Sequence, residues 1–199
     1  MLYPGKVVPK ARTALVTGAT DGLGLALATR LVSRGYRVVL HGRSQPKLDR
    51  TVDILSRSAP PGVDPPVTAH ADFSSLAEVE QMVEAVRRRV NMLDVLVNNA
   101  GIAYSDDVRE TSADGYELRF AVNFLAPFSL ALRLLLPLTA GNGRGPARVI
   151  NVASRHSLPS TSTMSCSTGA TPARRPTGRA NMRWSVLDLP WRDAWTRPR

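Results

Sequence analysis

The sequence predicts an α/β protein built on a doubly wound parallel sheet. Short runs rich in Val and Leu alternate with amphipathic stretches from Arg12 to Ser154, and a glycine-rich turn joins the first run directly to the first amphipathic stretch. Strands that alternate with helices form a parallel sheet covered on both faces. Right-handed crossovers then wind the chain to both sides of that sheet.

The first strand is "RTALVTG" (Arg12–Gly18), a short apolar run ending in glycine. "GLALATRLVSRGY" follows as a helix with Leu25, Leu27, Ala28, Leu31 and Val32 on its apolar face, closed by Gly35. "YRVVLHG" is the second strand. "SQPKLDRTVDILSRS" is the second helix, with Ser44 at the N-cap, Pro46 in the first turn and Leu48, Val52 and Leu55 inward. "PPGVDPP" is a rigid loop before the third strand, "VTAHADF". "SSLAEVEQMVEAVRRRV" turns Leu76, Val79, Met82, Val83 and Val86 inward as the third helix. "LDVLVNNAG" is the fourth strand. A long helix runs around Tyr116–Leu138, "GNGRGP" turns, and "ARVINVAS" is the fifth strand. There the pattern stops.

Composition narrows the function classes. The chain has 199 residues, 43% of them hydrophobic, which suits a globular domain with a real core. The start "MLYPGKVVPKARTALVTG" lacks the charged-then-apolar order of a secretory leader. The longest apolar stretch, Phe124 to Ala140, holds Arg133 and two prolines and reads as a buried helix, so no membrane span is expected. A single cysteine, Cys166, excludes an intrachain disulfide and fits a reducing cytoplasm. No His, Cys or carboxylate spacing suggests a metal site; His41 and His156 read as surface or structural. The net charge is +10, and residues 155–199 carry +6 of it, from 8 Arg against 2 Asp. These arginines alternate with Pro, Ser, Thr and Gly and accompany no nucleic-acid motif, so no nucleic-acid partner is expected.

"VTGATDGLGLA" carries the clearest chemistry. Gly18 permits a tight turn, and Gly22 and Gly24 let backbone approach a pyrophosphate and let the helix pack on the strand. The helix N-terminus then faces the phosphates. The strand–turn–helix setting at the start of a parallel sheet raises a glycine cluster above an ordinary turn. The spacing is T-G-x-x-x-G-x-G.

That spacing, with "NNAG" (Asn98–Gly101) after the fourth strand, resembles the short-chain dehydrogenase/reductase family over Thr13 to Ser154. The wording "VVLHGRS", "VNNAG" and "RVINVASRHS" is most similar to its retinol-dehydrogenase-like branch. The resemblance implies a Rossmann fold with strand order 3-2-1-4-5 and an oxidoreductase acting on a small carbonyl or alcohol. It implies that Asp72 in "HADF" bonds the adenine amino group and that Asn99, Ala100 and Gly101 line the cofactor. Asn123 in "FAVNFLAPF" then holds a proton-relay water, and Ser154 in "VINVAS" bonds the substrate carbonyl. The implied cofactor set is Gly18, Thr20, Asp21, Gly22, Leu23, Gly24, Arg43, Asp72, Phe73, Asn99, Ala100 and Gly101. Each polar residue also has a plainer role open to it. Asp72 can cap the following helix, Asn98 and Asn99 can close a turn, Asn123 can be a satisfied buried polar group, and Ser154 can cap or turn.

The end of the second strand, "LHGRSQPK", has no acid for a ribose 2′-hydroxyl, while Arg43 and Lys47 are near. An arginine there accommodates a 2′-phosphate, so NADP(H) is expected over NAD(H).

The family's proton-transfer pair, written Tyr-x-x-x-Lys downstream of the serine, is absent. The last tyrosine is Tyr116 and the last lysine Lys47. Residues 155–199 hold all three tryptophans and five of the 15 prolines, and "STGATPARRPTGRAN" (Ser167–Asn181) has no helix or strand period. The expected division is an incomplete Rossmann domain over 1–154, its C-terminal strands missing, and an irregular basic tail over 155–199. A change of reading frame is the expected explanation, and a true C-terminal specialisation is its rival. If codons are assembled from the third base of one codon and the first two of the next, "STSTMSCS" (Ser160–Ser167) can read Asp-Phe-Asp-Asp-Val-Met-Leu. Across Pro176–Thr177 the shifted frame permits tyrosine, across Arg179–Ala180 serine, and across Ala180–Asn181 lysine, giving Tyr-x-x-Ser-Lys. The expected function is therefore an NADP(H)-dependent oxidoreductase by descent, inactive in this form. A non-catalytic NADP(H)-binding or sensing module is the alternative. Substrate and oligomeric state are not legible.

Overall fold

The structure is a computed structural model that describes residues 11–103, 110–139, 146–155 and 183–187. Two compact units divide the chain, Met1–Asn151 and Val152–Arg199. The first holds parallel strands β1 (Thr13–Val16), β2 (Arg37–Gly42), β3 (Val67–His70) and β4 (Val95–Asn98), and the start of β5 (Arg148–Arg155). Their order is β3-β2-β1-β4-β5. β1 pairs with β2 from Thr13↔Arg37 to Val16↔Leu40 and with β4 from Ala14↔Val95 to Val16↔Val97. β4 pairs with β5 from Val95↔Arg148 to Asn98↔Asn151. The expected strand order is the observed one. In the second unit, Arg183–Leu187 form a further strand, β6, within the stretch read as irregular. Its Trp-Ser-Val core carries two residues that favour extended backbone.

The central strands β1, β2 and β4 bury both faces, which is why their runs are continuous rather than alternating, whereas β3 and β5 are more open. Leu15, Val39 and Leu96 belong to one apolar cluster with Val79, Met82, Val83 and Val86 of α3 (Leu76–Arg89) and Ala126 and Leu130 of α5 (Ala126–Arg133). Ala14, Val16, Val38 and Leu40 alternate with them and are fully buried on the other face, where α1 (Gly22–Ser33) and α2 (Gln45–Ser56) pack.

Helix ends follow their local chemistry. Asp21 caps α1, its Oδ1 accepting from the Gly22 N–H at 2.8 Å. Gly35, at φ +80°, ends it, and the Tyr36 N–H returns to the Leu31 carbonyl at 3.0 Å. Ser44 stands at the N-cap of α2, but its side chain makes no capping bond; Pro46 in the first turn lowers the number of N–H groups that need one. α3 begins at Leu76, capped by Ser75, whose Oγ accepts from the Glu78 N–H at 3.3 Å. Arg87, Arg88 and Arg89 sit in its last turn, where the helix dipole favours cations.

The long helix expected around Tyr116–Leu138 is broken. It runs as α4 (Leu118–Phe120), a π turn (Ala121–Leu125), α5 and, past Leu134, α6 (Leu135–Thr139). Pro127 cannot donate to the turn before it, which fits a widened turn at that point.

Candidate cofactor and active site

The C-terminal ends of β1, β2, β3 and β4 converge on the glycine-rich turn. Thr17 closes β1 and is fully buried. Its hydroxyl donates to the Val97 carbonyl at 3.2 Å and accepts from the N–H groups of Asn99 and Ala100, both at 2.9 Å. Asn99 answers through Nδ2, which donates to the Thr17 carbonyl at 2.8 Å and the Gly18 carbonyl at 3.3 Å. The turn after β1 and the segment after β4 are thereby one hydrogen-bonded assembly.

Close approach explains the glycines. Gly18 lies at φ +64°, and a Cβ there would stand 3.0 Å from Ala100 Cα. A Cβ on Gly24 would stand 2.1 Å from the Gly18 carbonyl oxygen, so only glycine lets the first turn of α1 lie directly on the loop. Gly22, at φ +50°, has nothing within 4 Å; its requirement is backbone conformation alone. Asp21 caps the helix, and Leu23 is exposed at its start. Thr20 packs toward Gly42, where a Cβ would come within 2.9 Å of Thr20 Cγ2.

At the end of β2, His41 is buried. Its Nδ1 lies 3.2 Å from the Gly18 N–H and its Nε2 3.1 Å from the Ala71 carbonyl, and its ring stacks on Phe73 with centroids 4.1 Å apart. Burial pushes its pKa down to about 4, against a weaker opposing pull from the Ala71 carbonyl. The sequence left His41 between surface and structural; it is structural. Phe73 is buried beneath that ring, so its side chain faces the core. Arg43 is exposed one residue past the strand, and no carboxylate occupies positions 42 to 47.

Asp72 follows β3. Its Oδ1 accepts from the Ser74 N–H at 2.8 Å, and its own N–H donates to Glu78 Oε2 at 2.8 Å. Burial raises the carboxyl's pKa, but the Ser74 bonds, then Arg43 and His41, outweigh it and hold Asp72 below the ordinary carboxylate range. Asp72 thus fastens the chain entering α3 as well as standing beside the turn-bearing strands.

Asn98 is buried, and its Nδ2 donates to Asn151 Oδ1 on β5 at 2.8 Å. Asn123 sits in the π turn and grips the loop after β4 with both ends of its amide. Oδ1 accepts from the Ile102 N–H at 2.8 Å, and Nδ2 donates to the Ile102 carbonyl at 3.0 Å. A Cβ on Gly101 would come within 3.2 Å of that Oδ1. Single π turns often mark functional positions because they re-aim one side chain. Ser154 lies on β5, in the second unit; its side chain, the Cys166 thiol, His156 and the 155–182 reading all fall outside the described residues.

The short-chain dehydrogenase family model matches residues 12–170, past Ser154. The chain belongs to the short-chain dehydrogenase family. The Streptomyces sp. (strain C5) protein DnrU, provisionally named a daunorubicin C-13 ketoreductase, is 41% identical over 130 residues, 65% of this chain and 43% of DnrU. Human retinol dehydrogenase 13 is 32% identical over 152 residues, 76% of this chain and 44% of its own length. That likeness agrees with the retinol-dehydrogenase-like wording of the sequence. Among solved structures, the Pseudomonas aeruginosa RhlG/NADP active-site complex superposes with a TM-score of 0.60 at 31% identity, over 72% of this chain and 54% of RhlG. The chain therefore spans about half the length of the relatives it matches. This short-chain dehydrogenase has, among its described residues, no helix long and apolar enough to cross a membrane and no cluster of His, Cys, Asp or Glu suited to a metal ion.

Sequence reasoning passed over Thr17, the role of His41, Asn151 and the π turn. Thr17 and His41 were each visible as a polar residue closing an apolar run. The π turn left no separate signal, because it lies inside one long apolar stretch with no glycine to mark it.

Proposed function

We propose that this short-chain dehydrogenase is an NADP(H)-binding oxidoreductase by descent, acting on a carbonyl/alcohol pair, and that the chain as written binds cofactor without turnover. The observation that carries binding is the cradle at the N-terminus of α1. A Gly24 Cβ would meet the Gly18 carbonyl at 2.1 Å, and Thr17 and Asn99 lock that turn to the segment after β4. A pyrophosphate fits such a helix start, where N–H groups and the helix dipole favour negative charge. When bound, the nicotinamide would exchange a hydride with the substrate carbon.

The chain's own residues would divide the work. Gly18, Thr20, Asp21, Gly22, Leu23 and Gly24 form the phosphate turn. Asp72 and Phe73 border the adenine side. Asn99, Ala100 and Gly101 line the nicotinamide side, held there by Asn123. Arg43 supports NADP(H), because it is an exposed cation at the end of β2 where no carboxylate stands. Its field reaches this region, since it helps to depress the Asp72 pKa. Ser154 would hold the substrate oxygen.

Proton transfer lacks its agents. An unperturbed tyrosine has a pKa near about 10 and needs a neighbouring cation to work near neutrality. Residues 117–199 contain no tyrosine, and residues 48–199 contain no lysine. We read residues 1–154 as an incomplete Rossmann domain and 155–199 as a stretch translated in a shifted frame.

Turnover and selectivity test this together. NADPH mixed with the full chain and a panel of aldehydes and ketones should be consumed at the background rate. Arg43→Asp should weaken NADPH binding by about tenfold while leaving NADH within about twofold, the worth of one exposed to half-exposed phosphate contact. Carbonyl-dependent NADPH oxidation abolished by Ser154→Ala would overturn the inactive reading. Equal loss for both cofactors in Arg43→Asp would overturn the selectivity reading.

A further inference from the structure

His41 is a buried nitrogen-bearing ring between the turn after β1 and the segment after β3, and cofactor recognition gives it no role. Its surroundings are specific. The Gly18 N–H points at Nδ1 from 3.2 Å, and the Ala71 carbonyl faces Nε2 from 3.1 Å. The main chain beside it repeats both links: the Ala19 N–H donates to the His41 carbonyl at 2.8 Å, and the Ala71 N–H to the Gly42 carbonyl at 3.3 Å. Phe73 closes the remaining face by stacking, at 16° between ring planes. One side chain on β2 therefore touches the turn after β1 and the segment after β3.

We propose that His41 is a positioning residue of the cofactor cleft, its neutral imidazole fixing the glycine turn relative to the strand end that carries Asp72. This rests on the reading of the cleft as a dinucleotide site. Gly18 is held from two sides, by the His41 ring on its N–H and by Asn99 Nδ2 on its carbonyl, and that carbonyl is the surface on which Gly24 packs. Losing the ring bond frees one side of the residue on whose carbonyl the first turn of α1 rests. The Ala71 bond fixes the other boundary, because Asp72 follows in sequence. A dinucleotide spans both boundaries, so their separation has to match its length.

Geometry also dictates the tautomer. An N–H donor can approach only a bare ring nitrogen, so Nδ1 must be unprotonated and Nε2 must carry the hydrogen given to Ala71. The Nδ1–H tautomer would set two donors against each other at Gly18 and two acceptors at Ala71. Buried unpaired groups of that kind are costly. His70 and Asp72 on the β3 side are the titratable groups that act on this ring, and Arg43 beyond β2 acts on Asp72.

The test uses the full chain and two readouts. Long-range proton–nitrogen NMR of the imidazoles should show His41 neutral with hydrogen on Nε2 at pH 7, and a scalar coupling between the Gly18 amide and Nδ1. In NADPH titrations, His41→Phe keeps a ring on Phe73 and removes both hydrogen bonds; it should bind about tenfold more weakly than wild type. His41→Gln, which restores an acceptor and a donor, should recover most of that loss. If wild type binds NADPH and a folded His41→Phe binds within about twofold of it, this inference fails and the cofactor reading stands. If wild type does not bind, both fall. Should His41→Phe not fold, the tautomer and His41→Gln decide: hydrogen on Nδ1, or a folded His41→Gln without recovered affinity, overturns the proposal.

Discussion

The hydroxyl of Thr17 receives the N–H groups of both Asn99 and Ala100 at 2.9 Å, while Asn99 Nδ2 returns a bond to the Thr17 carbonyl at 2.8 Å. This reciprocal clasp joins two strand ends 82 residues apart in sequence. It ties the glycine turn after β1 to the segment after β4, and preorganisation of this kind lowers the ordering cost of any ligand bound across the two.

Thr17→Val keeps the shape of the side chain and leaves two N–H groups without their partner, while the Val97 carbonyl keeps its bond from the Thr17 N–H at 3.0 Å. Each buried unpaired group costs roughly 1–3 kcal/mol, so a loss of about 2–4 kcal/mol is expected, with some relaxation. Urea denaturation checks it. A loss below about 1 kcal/mol would mean that the clasp is not a structural requirement.

Gly24→Ala and Gly22→Ala separate close approach from backbone conformation. The added methyl at Gly24 falls 2.1 Å from the Gly18 carbonyl, so the turn has to move, and NADPH affinity should drop by about a hundredfold or more. At Gly22 nothing lies within 4 Å, and only the positive φ is penalised, by about 1–2 kcal/mol. Affinity measured on folded Gly22→Ala should stay within about threefold of wild type. Similar losses in both variants would remove the steric account of Gly24.

Acid should destabilise the fold through His41. Its pKa falls from 6.5 to about 4 on folding. The unfolded chain therefore takes up a proton at a higher pH than the folded chain does. The contribution is complete above 6.5 and is lost as pH falls towards 4, by roughly 3 kcal/mol in all. Denaturation midpoints at pH 7, 6, 5 and 4.5 measure the slope. In His41→Gln that part of the slope should vanish; an unchanged slope would place the proton uptake elsewhere.

Arg133 meets Glu80 at 2.6 Å, but both side chains are about half exposed. Glu80→Gln should cost no more than about 1 kcal/mol and less at high salt, because solvent screens the pair. A larger, salt-independent loss would show that α3 and α5 depend on this contact rather than on their apolar seam.

The frame-shift reading predicts a single inserted or deleted base between the codons for Ser154 and Ser160, with an open frame beyond it encoding Tyr-x-x-Ser-Lys across Pro176 to Asn181. Sequencing the gene checks it. Early stops in the shifted frame, or absence of the pair, would remove this explanation of residues 155–199.

The sheet was legible because burial on both faces writes the central strands β1, β2 and β4 as continuous apolar runs, and glycines mark turns beside them. Strand order followed from the fold the glycine turn implied. Helix starts were less legible. Ser44 has the residue type of a cap without the bond, and Asp72 fastens the approach to α3 while Ser75 caps it. In the turn after β1, Gly18 and Gly24 were readable from spacing, since close backbone approach admits so few residue types, while Asn99 came from the family resemblance. Thr17 and His41 were not, because their roles depend on partners 80 and 23 residues away. The break in the long helix was hidden by an apolar stripe that continues through it.

The most direct test of the central claim is an isothermal calorimetric titration of the full chain with NADPH, followed by NADH under the same conditions. The account predicts saturable binding of one NADPH per chain, tighter than NADH by about tenfold, the share expected of a 2′-phosphate contact. A folded chain that gives no heat of binding with NADPH, or that binds NADH as tightly or more tightly, would contradict it.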